Sequence, residues 1–197
     1  MAVANQAVPR LAILLLVLAA LASGCSALAT RPGMADGALP DAGRDSARLA
    51  RVERVGGRVT PADAAPDAIA FGLSPRDALG AWSWADGRIR ASRALVDLLD
   101  DDELAAALAH EIGHLLDGGH IAGAPAALSG AQGAPGSEGR ADVLACRILA
   151  ARGERPEALP RMLRAVAAHL GDAADGPDPV AMLRRAEDAD RFCRPGS

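Results

Sequence analysis

Apolar residues recur at helical spacing in six segments of the chain. In each segment they lie three or four positions apart, which places them on one face of a helix and predicts an amphipathic element. Glycines lie at or just beyond the end of three of these segments, at Gly56, Gly118 and Gly153, as is common where a helix ends. The predicted helices cover residues 45–55, 92–99, 100–117, 137–151, 156–170 and 179–192.

Three short extended segments lie between the first of these helices and the second. Residues 68–73 form an apolar run that suits a buried strand, and residues 78–84 and 88–91 suit two more strands. The last two are joined across Ala85-Asp86-Gly87, and Asp-Gly between extended segments is a hairpin signal. These elements predict a mostly helical α+β fold, with a small β-sheet or hairpin beside the helix that begins at Asp100.

The helix predicted to begin at Asp100 has the clearest sequence signals. Asp100 and Glu103 fit a capping box, and the acidic first turn suits the positive end of the helix dipole. An apolar stripe follows at helical spacing, formed by Leu104, Leu108, Ile112 and Leu115. The helix is therefore predicted without any reference to its histidines.

The N-terminus has the pattern of an export signal. Residues 11–22 form an apolar run between Arg10 and Ser23-Gly24-Cys25. A run of this length suits the central part of a secretory signal, and a short transmembrane anchor is the alternative. Residues 21–25 resemble a bacterial lipobox, with Ala22 where leucine is usual. The resemblance implies that Cys25 is lipidated and becomes the mature N-terminus.

This pattern divides the chain into three parts. Residues 1–24 are predicted to be a lipoprotein signal peptide, and residues 25–43, with their Gly and Pro, a flexible tether. Residues 44–197 are predicted to form one folded domain. Acylated Cys25 would anchor this domain in a lipid membrane, on the periplasmic face of a bacterial cell envelope. Ser26 after the cysteine favours the outer membrane.

Composition and cysteine usage agree with an exported protein that binds no nucleic acid. The chain has 197 residues, half of them hydrophobic, with no tyrosine and a net charge of −4. Without a basic cluster, nucleic acid is not expected as a partner. In an oxidising compartment Cys146 and Cys193 are expected to form a disulfide, with two unpaired thiols as the alternative.

The sequence His110-Glu111-Ile112-Gly113-His114 is an HExxH motif on the helix described above. Residues four apart share a helix face, so the imidazoles of His110 and His114 can bind one metal ion. The carboxylate of Glu111 can take a proton from a metal-bound water, which is the chemistry of a zinc hydrolase. Two ordinary surface histidines are the alternative interpretation.

A catalytic zinc site usually has a third protein ligand. Glu138 and Asp142 lie four residues apart at the start of the next predicted helix. Glu138 can complete a His-His-Glu ligand set, and Asp142 can accept a hydrogen bond from a ligating imidazole. The alternative is that Glu138 is an ordinary acidic residue of a first helical turn and Asp142 a solvated one.

Residues 138–142, Glu-Gly-Arg-Ala-Asp, match the ExxAD pattern that follows HExxH in the HtpX, BepA and CAAX-prenyl-protease group of zinc metallopeptidases. Residues 79–89 are similar to the hairpin before that group's active-site helix, and residues 102–114 are similar to its central signature. The resemblance covers about residues 45–190. Because the segment between His114 and Glu138 is short and lacks apolar runs, the small periplasmic members are the better models.

The resemblance implies a zincin-like metallopeptidase domain that binds one Zn²⁺ per chain. His110, His114 and Glu138 would be the zinc ligands and Glu111 the general base. Asp142 would hold one of the ligating histidines.

The chain departs from the group's pattern near its C-terminus. Asp178 stands where many members have a histidine close to the metal, whereas Arg184 keeps the spacing of their arginine. With no tyrosine in the chain, Arg184, Arg185, His120 and His169 are the candidates to stabilise an oxyanion or contact substrate.

His120 also defines a rival ligand set. It lies ten residues after His110, which is the spacing of the third histidine in metzincins. However, Asp117 occupies the position where those enzymes need glycine.

Together these features predict a membrane-anchored zinc metalloendopeptidase. It would hydrolyse peptide bonds of envelope proteins, in a role such as protein quality control. Because of Asp178, the alternative is a catalytically weak or inactive lipoprotein of the same fold that acts as a chaperone or scaffold. A helical surface lipoprotein without metal is a third option.

Overall fold

The computed structural model describes residues 40–76, 78–121, 136–170 and 178–194. Its elements are six helices and three strands, which confirms the predicted α+β class. In chain order they are α1 (Pro40–Val59), β1 (Ala70–Leu73), β2 (Ala81–Ser83), β3 (Arg88–Ala91), α2 (Arg93–Leu98), α3 (Asp101–Asp117), α4 (Gly136–Ala151), α5 (Ala158–Leu170) and α6 (Pro179–Phe192).

Helix α3 lies at the centre of the described domain, in contact with α1, α4, α5 and the sheet. Eleven of its seventeen residues are buried, because alanines flank its apolar stripe and let the neighbouring elements approach closely. The predicted capping box is present, with Asp100 accepting from the Glu103 backbone at 2.8 Å. Helix α3 therefore holds its polar residues on a firmly packed element.

The three strands form one small sheet in the order β1-β3-β2. β1 runs parallel to β3, and β2 runs antiparallel to it. β2 is consequently an edge strand that packs against α3. The hairpin between β2 and β3 requires Gly87, whose φ is 83° and whose Cβ position would lie 2.0 Å from the carbonyl oxygen of Ala68.

Helices α3 and α4 cross at unusually close range. A Cβ atom on Gly113 would lie 2.7 Å from the carbonyl oxygen of Ala141 and 3.0 Å from its Cα. Only glycine allows two helices to approach this closely. This contact brings the first turns of α4 against the histidine face of α3.

Helix α1 differs most from its sequence prediction. It begins at Pro40, inside the segment predicted as a tether, and it continues to Val59 instead of ending at the glycine pair. Gly56 is part of the helix because a Cβ there would lie 2.6 Å from the ring of Phe71. Glycine at this position thus serves the packing of α1 on β1 rather than a helix end.

Other predicted features lie wholly or partly outside the described residues. Residues 1–24, Cys25 and most of the tether are among them, as is most of the segment between α3 and α4. In the part of the chain that is described, no helix is both long and apolar enough to cross a bilayer.

Cys146 and Cys193 are bonded to each other in the structure, with their Cα atoms 5.4 Å apart. The bridge joins α4 to the residue that follows α6. It therefore links α4, which packs on α3, to the end of α6, which packs on α5.

Candidate metal centre

His110 and His114 meet at the surface of α3 that faces the first turn of α4. Their Nε2 atoms lie 3.1 Å apart, as the one-turn spacing of the motif predicts. The His110 ring is buried, whereas the His114 ring is partly exposed. The pair thus presents two nitrogens to one point near the surface.

Glu138 brings its carboxylate to the same point. Its Oε2 lies 3.4 Å from Nε2 of His110, and its Oε1 lies 3.1 Å from Nε2 of His114. Among the described residues, His110, His114 and Glu138 form a group that can hold a metal ion. The close crossing of α3 and α4 at Gly113 makes this meeting possible.

The spacing of these atoms fits zinc. In a tetrahedral site with zinc bonds of about 2.05 Å, ligand atoms lie about 3.3 Å apart. The two imidazole nitrogens lie 3.1 Å apart, close to this value, and one ligand atom from each of the three residues lies within 4.8 Å of the others. Two imidazole nitrogens and one carboxylate leave a fourth position open, as in catalytic zinc sites.

Asp142 lies one helical turn beyond Glu138 and holds His110 from behind. Its Oδ1 is 2.9 Å from Nδ1 of His110, and the residue is 1% exposed. A carboxylate at Nδ1 fixes the tautomer that presents Nε2 to a metal. The structure thus brings Asp142 to the place that the family resemblance implied.

Arg185, on α6, forms ion pairs with both Asp142 and Glu138. Its Nε and Nη2 donate to the two carboxylate oxygens of Asp142 at 2.8 Å each, and its Nη1 lies 2.8 Å from Oε2 of Glu138. Arg184 is exposed and lies outside the cavities at the cluster. Of the two adjacent arginines among the sequence candidates, the structure therefore brings Arg185 to the cluster and leaves Arg184 away from it.

A signal in the sequence distinguishes Arg185 from Arg184. Met182, Ala186 and Ala189 form the buried face of α6, and Arg185 lies on that face, whereas Arg184 lies outside it. The family's spacing pointed to residue 184, but helical phase decides which side chain faces α4.

The ionisable groups of the cluster stabilise one another's charged forms. Burial alone would lower the pKa of His110, but hydrogen bonds to Asp142 and Glu138 raise it to about 9. Hydrogen bonds from His110 and His114 hold the pKa of Glu138 far below its usual range. Burial alone would raise the pKa of Asp142, yet Arg185 and His110 lower it. The site is thus built around anionic carboxylates that attract a cation.

Glu111 lies beside the cluster and is 8% exposed. Ser83, at the end of β2, donates its hydroxyl hydrogen to Oε2 of Glu111 at 2.7 Å. The sequence prediction did not include Ser83, because its approach to Glu111 depends on how the sheet packs on α3. A serine in a strand next to an HExxH helix was the available signal.

A cavity of about 450 Å³ opens beside His110 and Glu111. Its polar lining consists of these two residues with Glu138, Asp178 and Arg185. The rest is apolar or glycine, contributed by Leu79, Gly80, Ala81, Leu95, Ala107, Met162, Leu163, Val166, Ala181 and Met182. This lining would fit an apolar side chain of a peptide bound next to His110, His114 and Glu138.

The structure does not bring His120 to the cluster. His120 is exposed beyond the end of α3, and it is not part of the metal-binding group found among the described residues. The metzincin-like ligand set is therefore wrong, because the chain ends α3 at Asp117 and turns His120 back towards Gly118.

Asp178 lies at the edge of the cavity and caps α6. Its carboxylate accepts from the backbone N–H of Val180 at 2.9 Å. The residue that replaces an expected histidine thus has a structural task in starting α6, the helix that carries Arg185.

A helical domain with an HExxH helix, an edge strand beside it and a glutamate from the next helix defines the zincin class of metallopeptidase folds. The model of peptidase family M48 matches residues 46–131, which include the HExxH motif. This match confirms the family resemblance and supports a metallopeptidase function. Glu138 and Asp142 lie beyond the matched range, so their assignment depends on the geometry described above. No curated protein matches this chain in sequence.

Proposed function

We propose that this protein is a zinc metalloendopeptidase. The observation that carries the proposal is the cluster of His110, His114 and Glu138, whose ligand atoms lie within 4.8 Å of one another, with Glu111 beside them. This arrangement suits zinc with one open coordination position. The family match at residues 46–131 supports the same chemistry.

In the proposed reaction, a zinc ion held by the three ligands would polarise the scissile carbonyl and lower the pKa of water. Glu111 accepts the proton of the attacking water and passes it to the leaving amine nitrogen. Asp142 holds the ring of His110 so that Nε2 faces the site. Arg185 holds the carboxylates of Asp142 and Glu138 in place.

The substrate is proposed to be an extended peptide. β2 is an edge strand, and Ala81, Trp82 and Ser83 line the cleft that also contains His110, Glu111 and His114. A peptide that pairs with the free edge of β2 would pass directly over the cluster. The apolar cavity would then receive a side chain next to the scissile bond.

We further propose that the protein acts on envelope proteins from a lipid anchor at Cys25. The support is the sequence pattern of residues 10–25, with its apolar run and lipobox-like end. Protein quality control is the role this setting favours, since an anchored endopeptidase meets damaged proteins of the envelope.

A second candidate is a metal-binding scaffold or chaperone with little or no turnover. The observation that favours it is the position of the Arg185 guanidinium. Each of its three nitrogens lies within hydrogen-bond distance of Asp142 or Glu138. A developing oxyanion would need a donor that is free to face it.

Metal analysis and a cleavage assay on the full-length chain would test the proposal. We expect about one zinc per chain, casein cleavage that chelator abolishes, and loss of cleavage in Glu111→Gln with zinc retained. Glu157→Gln, an exposed glutamate on the surface, is the matched control and should cleave normally. Zinc binding without any cleavage would favour the scaffold. Cleavage unchanged in Glu111→Gln would overturn the mechanism.

A further inference from the structure

The hydrogen bond from Ser83 to Glu111, beside the histidine pair, is explained neither by metal binding nor by the family match. We propose that Ser83 is a positioning residue, whose hydroxyl orients the carboxylate of Glu111 from the strand that receives the substrate. This inference rests on the proposed function, because it assigns Glu111 the role of base.

The contact is short and specific. The hydroxyl of Ser83 donates to Oε2 of Glu111 at 2.7 Å, a distance typical of a strong bond to a carboxylate. Among the described residues, Ser83 makes the one side-chain hydrogen bond that Glu111 receives. Glu111 as a whole is 8% exposed, so little solvent is present to replace this bond.

The backbone holds the serine hydroxyl in place. Ser83 pairs with Ile89 on β3, and Ile89 is completely buried. The adjacent turn is closed by two bonds, from the N–H of Trp84 to Arg88 and from the N–H of Gly87 to Trp84, each at 2.9 Å. A hydroxyl on a short, well-paired hairpin is better fixed than one on a loop.

The bond has two consequences for the chemistry. A carboxylate can rotate about its terminal torsion, which is broad, and a bond to Oε2 restricts that rotation and leaves Oε1 to accept a proton. The hydroxyl uses its hydrogen for Glu111, so its lone pairs can still accept an N–H from a peptide along β2. Substrate position and base orientation are thus linked through one side chain.

A purely structural role for Ser83 predicts a different outcome. The residue is only partly buried, so removing its oxygen takes little from the hydrophobic core. If the hydroxyl served folding, its loss would lower the melting temperature or the zinc content. If it positions Glu111, its loss lowers turnover and leaves the zinc content unchanged, and turnover falls even where the variant is fully folded.

The test compares Ser83→Ala and Ser83→Thr in the full-length, zinc-loaded chain. Ser83→Ala should lower kcat about tenfold, as expected for the loss of one charge-assisted hydrogen bond, and raise KM by a smaller factor through the lost contact with the peptide. Ser83→Thr keeps the hydroxyl and suits a strand, so it should restore most of kcat. Ser46→Ala, which also removes a donating hydroxyl but lies on α1, is the control.

Crystal structures of the zinc-loaded variants give a second measurement that does not depend on turnover. Glu111 should have one side-chain conformation in the parent and in Ser83→Thr, and more than one in Ser83→Ala. Equal kcat in Ser83→Ala, or an unchanged Glu111 conformation, would overturn the inference. If the parent cleaves no peptide, the proposed function fails, and the conformation of Glu111 still decides the role of Ser83.

Discussion

Arg185 and Asp142 form a two-bond ion pair across α6 and α4, with both N–O distances at 2.8 Å. Asp142 in turn lies 2.9 Å from Nδ1 of His110. The side chain of Asp142 is 2% exposed, so its charge depends on these partners. The ion pair therefore connects the last helix of the chain to a proposed zinc ligand.

Replacing Arg185 should weaken zinc binding. Arg185→Ala leaves the buried Asp142 without its two-bond partner, and changes behind a ligating histidine typically cost about 10–100-fold in metal affinity. Zinc affinity can be measured by competition with a chromophoric chelator. Arg184→Ala, an exposed neighbour on the same helix, is the control and should bind zinc like the parent. Equal affinities for both variants would contradict this role.

Gly113→Ala should disturb the site by pushing two helices apart. The added Cβ would lie 2.7 Å from the carbonyl oxygen of Ala141, so α4 must move and carry Glu138 with it. We expect a loss of about 1–3 kcal/mol in the free energy of unfolding, together with weaker zinc binding.

Gly57→Ala is the control, and it should change the free energy of unfolding in the opposite direction. A Cβ at Gly57 meets nothing within 4 Å, and the residue lies within α1. Alanine there should raise the free energy of unfolding by roughly 0.5–1 kcal/mol. Urea titrations of both variants measure these values, and a stable Gly113→Ala protein with normal zinc affinity would refute the packing argument.

Filling the apolar cavity should change which peptides are cleaved. Ala107 lines this cavity on α3, and Ala107→Leu would occupy the space that a substrate side chain needs. We expect kcat/KM for leucine-containing peptides to fall about tenfold or more, and for glycine analogues to change little. Ala150→Leu, at an exposed position of α4, is the control. An equal loss for both peptides would count against the cavity as a side-chain site.

The metal-free protein should lose stability as the pH rises from neutral. The pKa of His110 is raised from 6.5 to about 9, so its contribution is fully present below pH 6.5 and disappears as the pH approaches 9. The shift corresponds to roughly 3 kcal/mol. Urea unfolding of chelator-treated protein at several pH values measures the loss.

Two comparisons make this pH dependence specific. His110→Asn should remove it from the metal-free protein, since no imidazole titrates at that position. Saturating zinc should reverse its direction, because the metal competes with protons for the same nitrogens. A metal-free protein with equal stability at pH 6 and pH 9.5 would rule out the raised pKa.

The Cys146–Cys193 bridge should stabilise the arrangement of α4 and α6. It closes a loop with a sequence separation of 47, and disulfides of this kind typically contribute roughly 2–4 kcal/mol. Mass spectrometry after alkylation should find both thiols blocked until reductant is added. The Cys146→Ser, Cys193→Ser double variant should unfold at lower urea and no longer respond to reductant. Free thiols in the untreated protein would contradict the bridge.

Much of the fold could be predicted from sequence because its signals are local. The capping box at Asp100 and Glu103 lies within one turn, and the one-turn spacing of His110 and His114 places both rings on one face of any helix. The boundaries of β3 and α6 also match their predictions, since Asp86-Gly87 marks the start of β3 and a proline after a capping aspartate marks the start of α6.

Tertiary structure decided the parts of the site that come from distant elements. Ser83 reaches Glu111 only because the sheet packs on α3, and no local pattern specifies that contact. One step along a helix turns a side chain by about 100°, so the burial of Met182, Ala186 and Ala189 selects Arg185 over Arg184. Glu138 joins the histidines because Gly113 lets α4 approach α3. The sequence alone determined the helix and its histidine pair through local periodicity, whereas packing between elements determined which charged and hydroxyl groups surround them.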